Sequence, residues 1–258
     1  MVQLFRGRVQ QNPQQNKKTS ETQVLPETTW ADEEMPSGIP PEGSVVITIS
    51  RQFGSGGTHI GRLVAEKSQL NYVDQEIIDE VARRLGVPAH QAARQVEQTI
   101  GTVGHILEAM QSSNPFALNY STFFGPNIAQ SQSKELAYFR LTQKVVLELA
   151  TQGNAVIVGR GSQFLLHNAP RTLHIYFFAP LPYRIENVMK HFQLDHARAA
   201  ELIEQRDYEF DTYARHFYGA DRHQPSFYHL LINTSLFSFD LAASLIQQAL
   251  PLAKEIAS

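Results

Sequence analysis

The first forty-three residues carry few large apolar side chains, and at Val45 the pattern changes to a β-branched, uncharged run, Val45–Ile49. A run of that length and composition predicts a strand buried on both faces. Gly54, Gly56 and Gly57 follow, and then Ile60, Leu63 and Val64 recur at helical spacing as far as Ser68. Asn71–Asp74 reads as a second short strand. Gln75–Leu85 reads as a helix with Ile77, Ile78, Val81 and Leu85 on one face, closed by Gly86 and Pro88. Val96, Ile100, Val103, Leu107 and Met110 continue a helical stripe over 89–112, and 112–133, with breakers Asn114–Pro115 and Gly125–Pro126, reads as a loop. Beyond it the periodicity predicts helices over 134–151, 181–193, 195–215 and 239–249, and strands at Ala155–Val158, Thr172–Phe178 and Leu230–Asn233.

Strands therefore alternate with helices, the pattern of an α/β domain whose parallel sheet is covered on both faces. Ligands in such sheets sit at the carboxyl ends of the strands. Arg51, Asp74 and Arg160 each follow a strand directly. The polar segment 1–43 cannot bury enough surface to offset its ordering entropy and is expected to be a disordered tail ahead of one domain, 44–258.

Composition narrows the function classes. The chain has no cysteine, which excludes disulfides, thiolate catalysis and cysteine zinc sites. A net charge of −3 supplies no overall positive field, so neither nucleic acid nor a membrane surface is an expected partner. No apolar run has membrane-span length and the N-terminus lacks a secretory core, so a cytoplasmic protein is expected. Arginines outnumber lysines fifteen to seven, a lean toward planar anion clamps. His216, His223 and His229 lack metal-ligand spacing, and no serine stands in a nucleophile-elbow pattern.

The strongest chemical signal is Ile49-Ser50-Arg51-Gln52-Phe53-Gly54-Ser55-Gly56-Gly57-Thr58-His59, a strand, a glycine-rich turn and a helix start in succession. Glycines let backbone N–H groups converge on a phosphate, and a helix start adds unpaired donors and a positive dipole end. Laid on the P-loop pattern G-x-x-x-x-G-K-[ST], Gly56 and Thr58 match, Arg51 stands at the first glycine and Gly57 at the lysine. That lysine neutralises the β- and γ-phosphates during transfer, and loss of one such stabiliser costs on the order of 3 kcal/mol. Arg51 is the nearest candidate to compensate.

Val46–Gly57, Asn71-Tyr72-Val73-Asp74-Gln75-Glu76-Ile77-Ile78 and Val156-Ile157-Val158-Gly159-Arg160-Gly161 together resemble the cytidylate kinase-like family, over roughly 44–250. The resemblance implies a three-layer P-loop kinase fold, a five-stranded parallel sheet with helices on both faces. It also implies a helical acceptor insert near 75–133 and a lid near 203–225. Two departures stand out. Ordinary cytidylate kinases carry the cradle lysine, here Gly57, and an Asp–Gly–Arg–Asp stretch, here Val158-Gly159-Arg160-Gly161.

The implied function is phosphoryl transfer from ATP, with Mg²⁺, to a nucleoside monophosphate, CMP by default. Gly54, Ser55, Gly56, Gly57, Thr58 and His59 are the expected cofactor cradle, Thr58 the metal ligand, and Asp74, Gly159 and Gly161 the acceptor side. Arg51, Arg160, Arg206 and Arg215 are the expected catalytic cations. Arg206 and Arg215, nine residues apart, fall on opposite sides of a regular helix, so a break near Asp211, or the use of Arg222, is required. Thr58 as a helix N-cap and Asp74 as a cap for the helix at Gln75 are the plain structural alternatives. A regulatory nucleotide-binding module, or a kinase of another small acceptor such as a sugar, are the functional alternatives.

Overall fold

β1 (Val46–Arg51) is the centre of a five-stranded, all-parallel sheet in a computed structural model that describes residues 34–74, 77, 79, 80, 83, 84 and 126–253. The strand order is β2-β3-β1-β4-β5, with β2 at Asn71–Val73, β3 at Ala155–Val158, β4 at Thr172–Phe178 and β5 at Leu230–Asn233. Register is set from the centre outward: Val46 faces Ala155 on one side and Thr172 on the other, and Ile49 faces Val158 and Ile175. All three central strands are buried almost end to end, as expected of near-continuous apolar runs covered on both faces.

Helix α1 (Gly57–Ser68) leaves β1 through the glycine-rich turn and packs beside the last helix of the fold, Phe239–Ala253. Ile60 and Val64 of α1 and Ala242 and Ile246 of that last helix close over Ile47, Ile49, Val156, Ile175 and Phe177. On the opposite face lie α2 (Pro126–Gln152) against β3 and the short α3 (Ser162–Leu165) against β1. α4 (Leu181–Phe192) and α5 (His196–Tyr218) form a helical pair, with Ile185, Val188, Ala199 and Ile203 fully packed and Phe53 of the β1–α1 loop set against them. The last helix is α6.

Several boundaries differ from the sequence reading for identifiable reasons. The helix expected at 134 begins at Pro126, so the expected loop 112–133 ends there; proline's missing N–H and fixed φ suit a first helical position. α6 runs past Ala249 to Ala253 although Pro251 lies inside it. α5 is continuous through Asp211, capped by Asp195 accepting from the Arg198 amide at 2.9 Å and ended by left-handed Gly219. The expected domain boundary at 43/44 falls inside a segment that is seated on the domain. Gly38 donates to Thr151 Oγ1 at 3.2 Å, and Arg171 Nη2 donates to the Pro40 carbonyl at 2.5 Å. The helix expected over 89–112 and the rest of the expected tail, 1–33, lie outside the described residues, as does most of the expected insert.

Candidate active site

The β1–α1 turn is shaped by left-handed backbone at Gly54 and Gly56, φ 79° and 84°. Gly56 is the N-cap of α1, so Thr58 sits inside the first turn and does not cap it. The first intrahelical bond runs from the Ile60 amide to the Gly56 carbonyl at 3.0 Å. The amides of Gly57, Thr58 and His59 therefore precede the intrahelical ladder, the arrangement that suits an anion. Ser55 is different: its buried hydroxyl donates to the Gln52 carbonyl at 2.8 Å and closes the turn on itself. The exposed His59 ring lies 5.4 Å from that of Phe239.

Gly57 stands where the lysine of the P-loop pattern would be, and the structure leaves no room for a side chain there. A Cβ at 57 would meet Arg51 Cβ and Phe177 Cδ2, both at 2.9 Å. The space is taken by Phe177 and by the root of Arg51, whose side chain leaves the end of β1 and runs across Gly159, where a Cβ would meet its Nη1 at 2.5 Å. The two glycines thus border the path of one arginine side chain.

Gly159, Arg160 and Gly161 follow β3 in three successive left-handed conformations, φ 75°, 59° and 69°. For an arginine this conformation is strained by about 1–2 kcal/mol, a feature that clusters at functional sites. The Tyr218 hydroxyl at the end of α5 donates to the Arg160 carbonyl at 3.3 Å and steadies the turn.

One cleft gathers these elements. It is lined by Ser50, Arg51, Gly159, Arg160, Gly161 and Gln163 from the sheet side, and by Phe210, Tyr213 and Arg222 from α5 and the segment after it. Of the four arginines expected to act, Arg51 and Arg160 line it. Arg206 is turned to Glu209, 2.9 Å away, and Arg215 is exposed; neither lines the cleft. α5 has no break to bring them together, and Arg222 arrives from beyond its end instead.

Arg222 is only 3% exposed and is held by an ionic platform. Its Nε donates to Asp211, its Nη2 to Asp207 Oδ1 at 3.3 Å and its Nη1 to the Arg51 carbonyl at 2.8 Å. Burial opposes its charge, but Tyr176, Asp211 and Asp207 outweigh burial and raise its pKa. Burial likewise pushes the Asp211 carboxyl up, and His223 and Arg222 together hold it below the usual carboxylate range. Asp207 also accepts from the Phe53 amide at 2.9 Å and from Arg184, so one carboxylate ties α5, α4 and the cradle turn.

Arg51 has a weaker counter-charge. Burial lowers its pKa, Asp74 at 3.9 Å opposes the shift, and Arg160 and Arg222 add to it. Asp74 accepts from the Tyr72 hydroxyl at 3.2 Å, and the Thr58 carbonyl lies 3.4 Å from the same hydroxyl. Burial, then Asp74, pushes the Tyr72 phenol up to about 12, so it stays a neutral donor. The Thr58 carbonyl and the Asp74 carboxylate thus flank one phenol, and a carboxylate together with the hydroxyl of that threonine are oxygen donors of the kind that suits a hard cation. Gln75, whose helix Asp74 was expected to cap, lies outside the described residues.

Sequence reasoning missed Phe210, Arg184 and the platform role of Asp207. The contacts of Asp207 span from 15 to 154 residues, and no local pattern announces them.

The cytidylate kinase-like family model matches residues 46–236. The cytidylate kinase of Methanocaldococcus jannaschii is 25% identical over 209 residues, covering 80% of this chain and 97% of that protein. The cytidylate kinase of Pyrococcus horikoshii is 25% identical over 211 residues, 81% of this chain and 90% of its own length. Among solved structures, an uncharacterized protein from Eubacterium ventriosum shares the fold with a TM-score of 0.54 at 17% identity, over 80% of this chain and 98% of that one.

Proposed function

The chain belongs to the cytidylate kinase-like family, and on that premise we propose that it moves the γ-phosphoryl group of ATP to a nucleoside monophosphate, with CMP the first acceptor to test. The observation that carries this reading is the convergence of Arg51, Arg160 and Arg222 on one cleft beside the cradle. An acceptor phosphate brings its own negative charge and needs cations. Three cations on one cleft suit a phosphate acceptor better than a neutral sugar.

In this reading the amides of Gly57, Thr58 and His59, with the turn at Gly54–Gly56, hold the β-phosphate. The Thr58 hydroxyl and Asp74 carboxylate would hold Mg²⁺, which would supply charge neutralisation to the phosphates. Arg51 takes over the neutralising role of the absent lysine. Arg160, presented by Gly159 and Gly161, clamps the acceptor phosphate, and Arg222 fills the place expected of Arg206 and Arg215. The segment 203–225 acts as the lid that excludes water. A cytoplasmic place of action goes with such a reaction; among the described residues no helix is long and apolar enough to cross a membrane.

The test is a coupled ADP-release assay with ATP, Mg²⁺ and a panel of monophosphates, run beside Arg160→Ala. Turnover that requires one acceptor and collapses in the variant supports the reading and names the substrate. One observation favours a second reading, a nucleotide-binding regulatory module: a lysine side chain at 57 has no space. ATP that raises the melting temperature without turnover on any acceptor would favour that module.

A further inference from the structure

Phe210 stands on α5 within reach of two guanidinium groups. Its ring centroid is 5.2 Å from Arg51 Cζ and 5.4 Å from Arg222 Cζ. Both lie within the roughly 6 Å at which the negative face of an aromatic ring attracts a cation. The ring is half-buried and lines the same cleft.

The two arginines are not held alike. Arg222 is fixed by two carboxylates and the Arg51 carbonyl. Arg51 has one carboxylate at 3.9 Å, outside hydrogen-bond reach, and two like charges beside it. Left to Coulomb's law, its guanidinium would swing away from Arg222 and Arg160. An aromatic ring within reach of two cations attracts both and offsets part of that repulsion.

We propose that Phe210 is a positioning residue, whose ring holds Arg51 and Arg222 together as one preformed anion-binding pair. The proposal rests on the reading of the cleft as a phosphate site. A leucine at 210 fills similar volume without a quadrupole, whereas a tyrosine keeps the face.

The test uses the full chain, inorganic phosphate as probe, and the arginine Nε–Hε signals in NMR, assigned with Arg51→Lys and Arg222→Lys. In the wild type and Phe210→Tyr, the Arg51 and Arg222 signals are displaced by the ring current. In Phe210→Leu the displacement is lost while the melting temperature stays close to wild type. Phosphate affinity falls about fivefold in Phe210→Leu and stays within about twofold in Phe210→Tyr. The proposal is overturned by equal phosphate affinity in wild type and Phe210→Leu, by arginine signals indifferent to the ring, or by Phe210→Tyr losing as much as Phe210→Leu. A wild type that binds no phosphate overturns it as well. A wild type that binds phosphate and responds as described, yet turns over no monophosphate, supports the Phe210 proposal and removes the kinase reading alone.

Discussion

Gly159 and Arg51 share one space: a Cβ at residue 159 would lie 2.5 Å from the Arg51 Nη1 atom. Gly159→Ala must therefore either move the guanidinium or move the β3 turn. It also places a side chain at φ 75°, a conformation that costs roughly 1–2 kcal/mol for a non-glycine residue. Stability by urea denaturation should fall by about that amount. Phosphate or CMP affinity should fall as well, because Arg51 is displaced. An alanine variant with wild-type binding would show that Arg51 does not depend on this passage.

Restoring the P-loop lysine should not restore anything. In Gly57→Lys the new Cβ meets Arg51 Cβ and Phe177 Cδ2 at 2.9 Å, neither of which is the loose end of a side chain. Overpacking of this kind costs about 1–3 kcal/mol. The variant should melt earlier than wild type and turn over no faster. Faster turnover at unchanged stability would mean that Arg51 yields the space and that its position is not needed.

Asp207 holds two buried arginines and one cradle amide. Asp207→Ala leaves Arg184 and Arg222 short of counter-charge, and breaking buried pairs of this kind costs about 3–5 kcal/mol. Asp207→Asn keeps a neutral acceptor for the Phe53 amide and should lose less. Chemical denaturation of the two variants beside wild type measures the order.

Acid should weaken the fold through His174. The ring is 1% exposed in the face of the sheet, its Nδ1 is 2.6 Å from Thr48 Oγ1, and it stacks on His229 at 5.0 Å. Burial lowers its pKa to about 4 from 6.5, with His229 and His167 adding to the effect. The folded state thus keeps the ring neutral while the unfolded chain takes up a proton near pH 6.5. Its contribution is complete above pH 6.5 and is lost as pH falls toward 4, a swing of about 3 kcal/mol. His229, also lowered by burial, acts with the same sign. Stability measured from pH 7.5 to 4.5 should decline over this window, and His174→Gln should flatten the decline. A slope unchanged in His174→Gln would remove His174 as its source.

Much of the sheet was legible because each central strand is an uncharged apolar run, and such runs are short, buried and bounded by turn residues. Ala155–Val158, Thr172–Phe178 and Leu230–Asn233 read as strands and form strands with those bounds. The glycine turn of the cradle and the Gly159–Gly161 turn were visible for the same local reason. The start of α2 differs from the sequence expectation because Gly125–Pro126 reads as a chain breaker, while Pro126 opens a helix. That Arg206 and Arg215 do not line the cleft was not legible, because helical spacing says which residues share a face, and not what that face meets.

By itself, then, the amino-acid order determined the alternation of strands and helices, the cradle turn and the placing of Arg51 and Arg160 at strand ends. These follow from interactions within a few residues: burial periodicity, glycine torsions and helix starts. Only the tertiary structure decided that Arg222 joins those two arginines while Arg206 and Arg215 stay outside, that Phe210 lies within reach of two guanidiniums, and that Phe177 closes, beside Arg51, the space a side chain at 57 would need. Those outcomes depend on charges and volumes brought together across more than a hundred residues of chain, and no local preference encodes them.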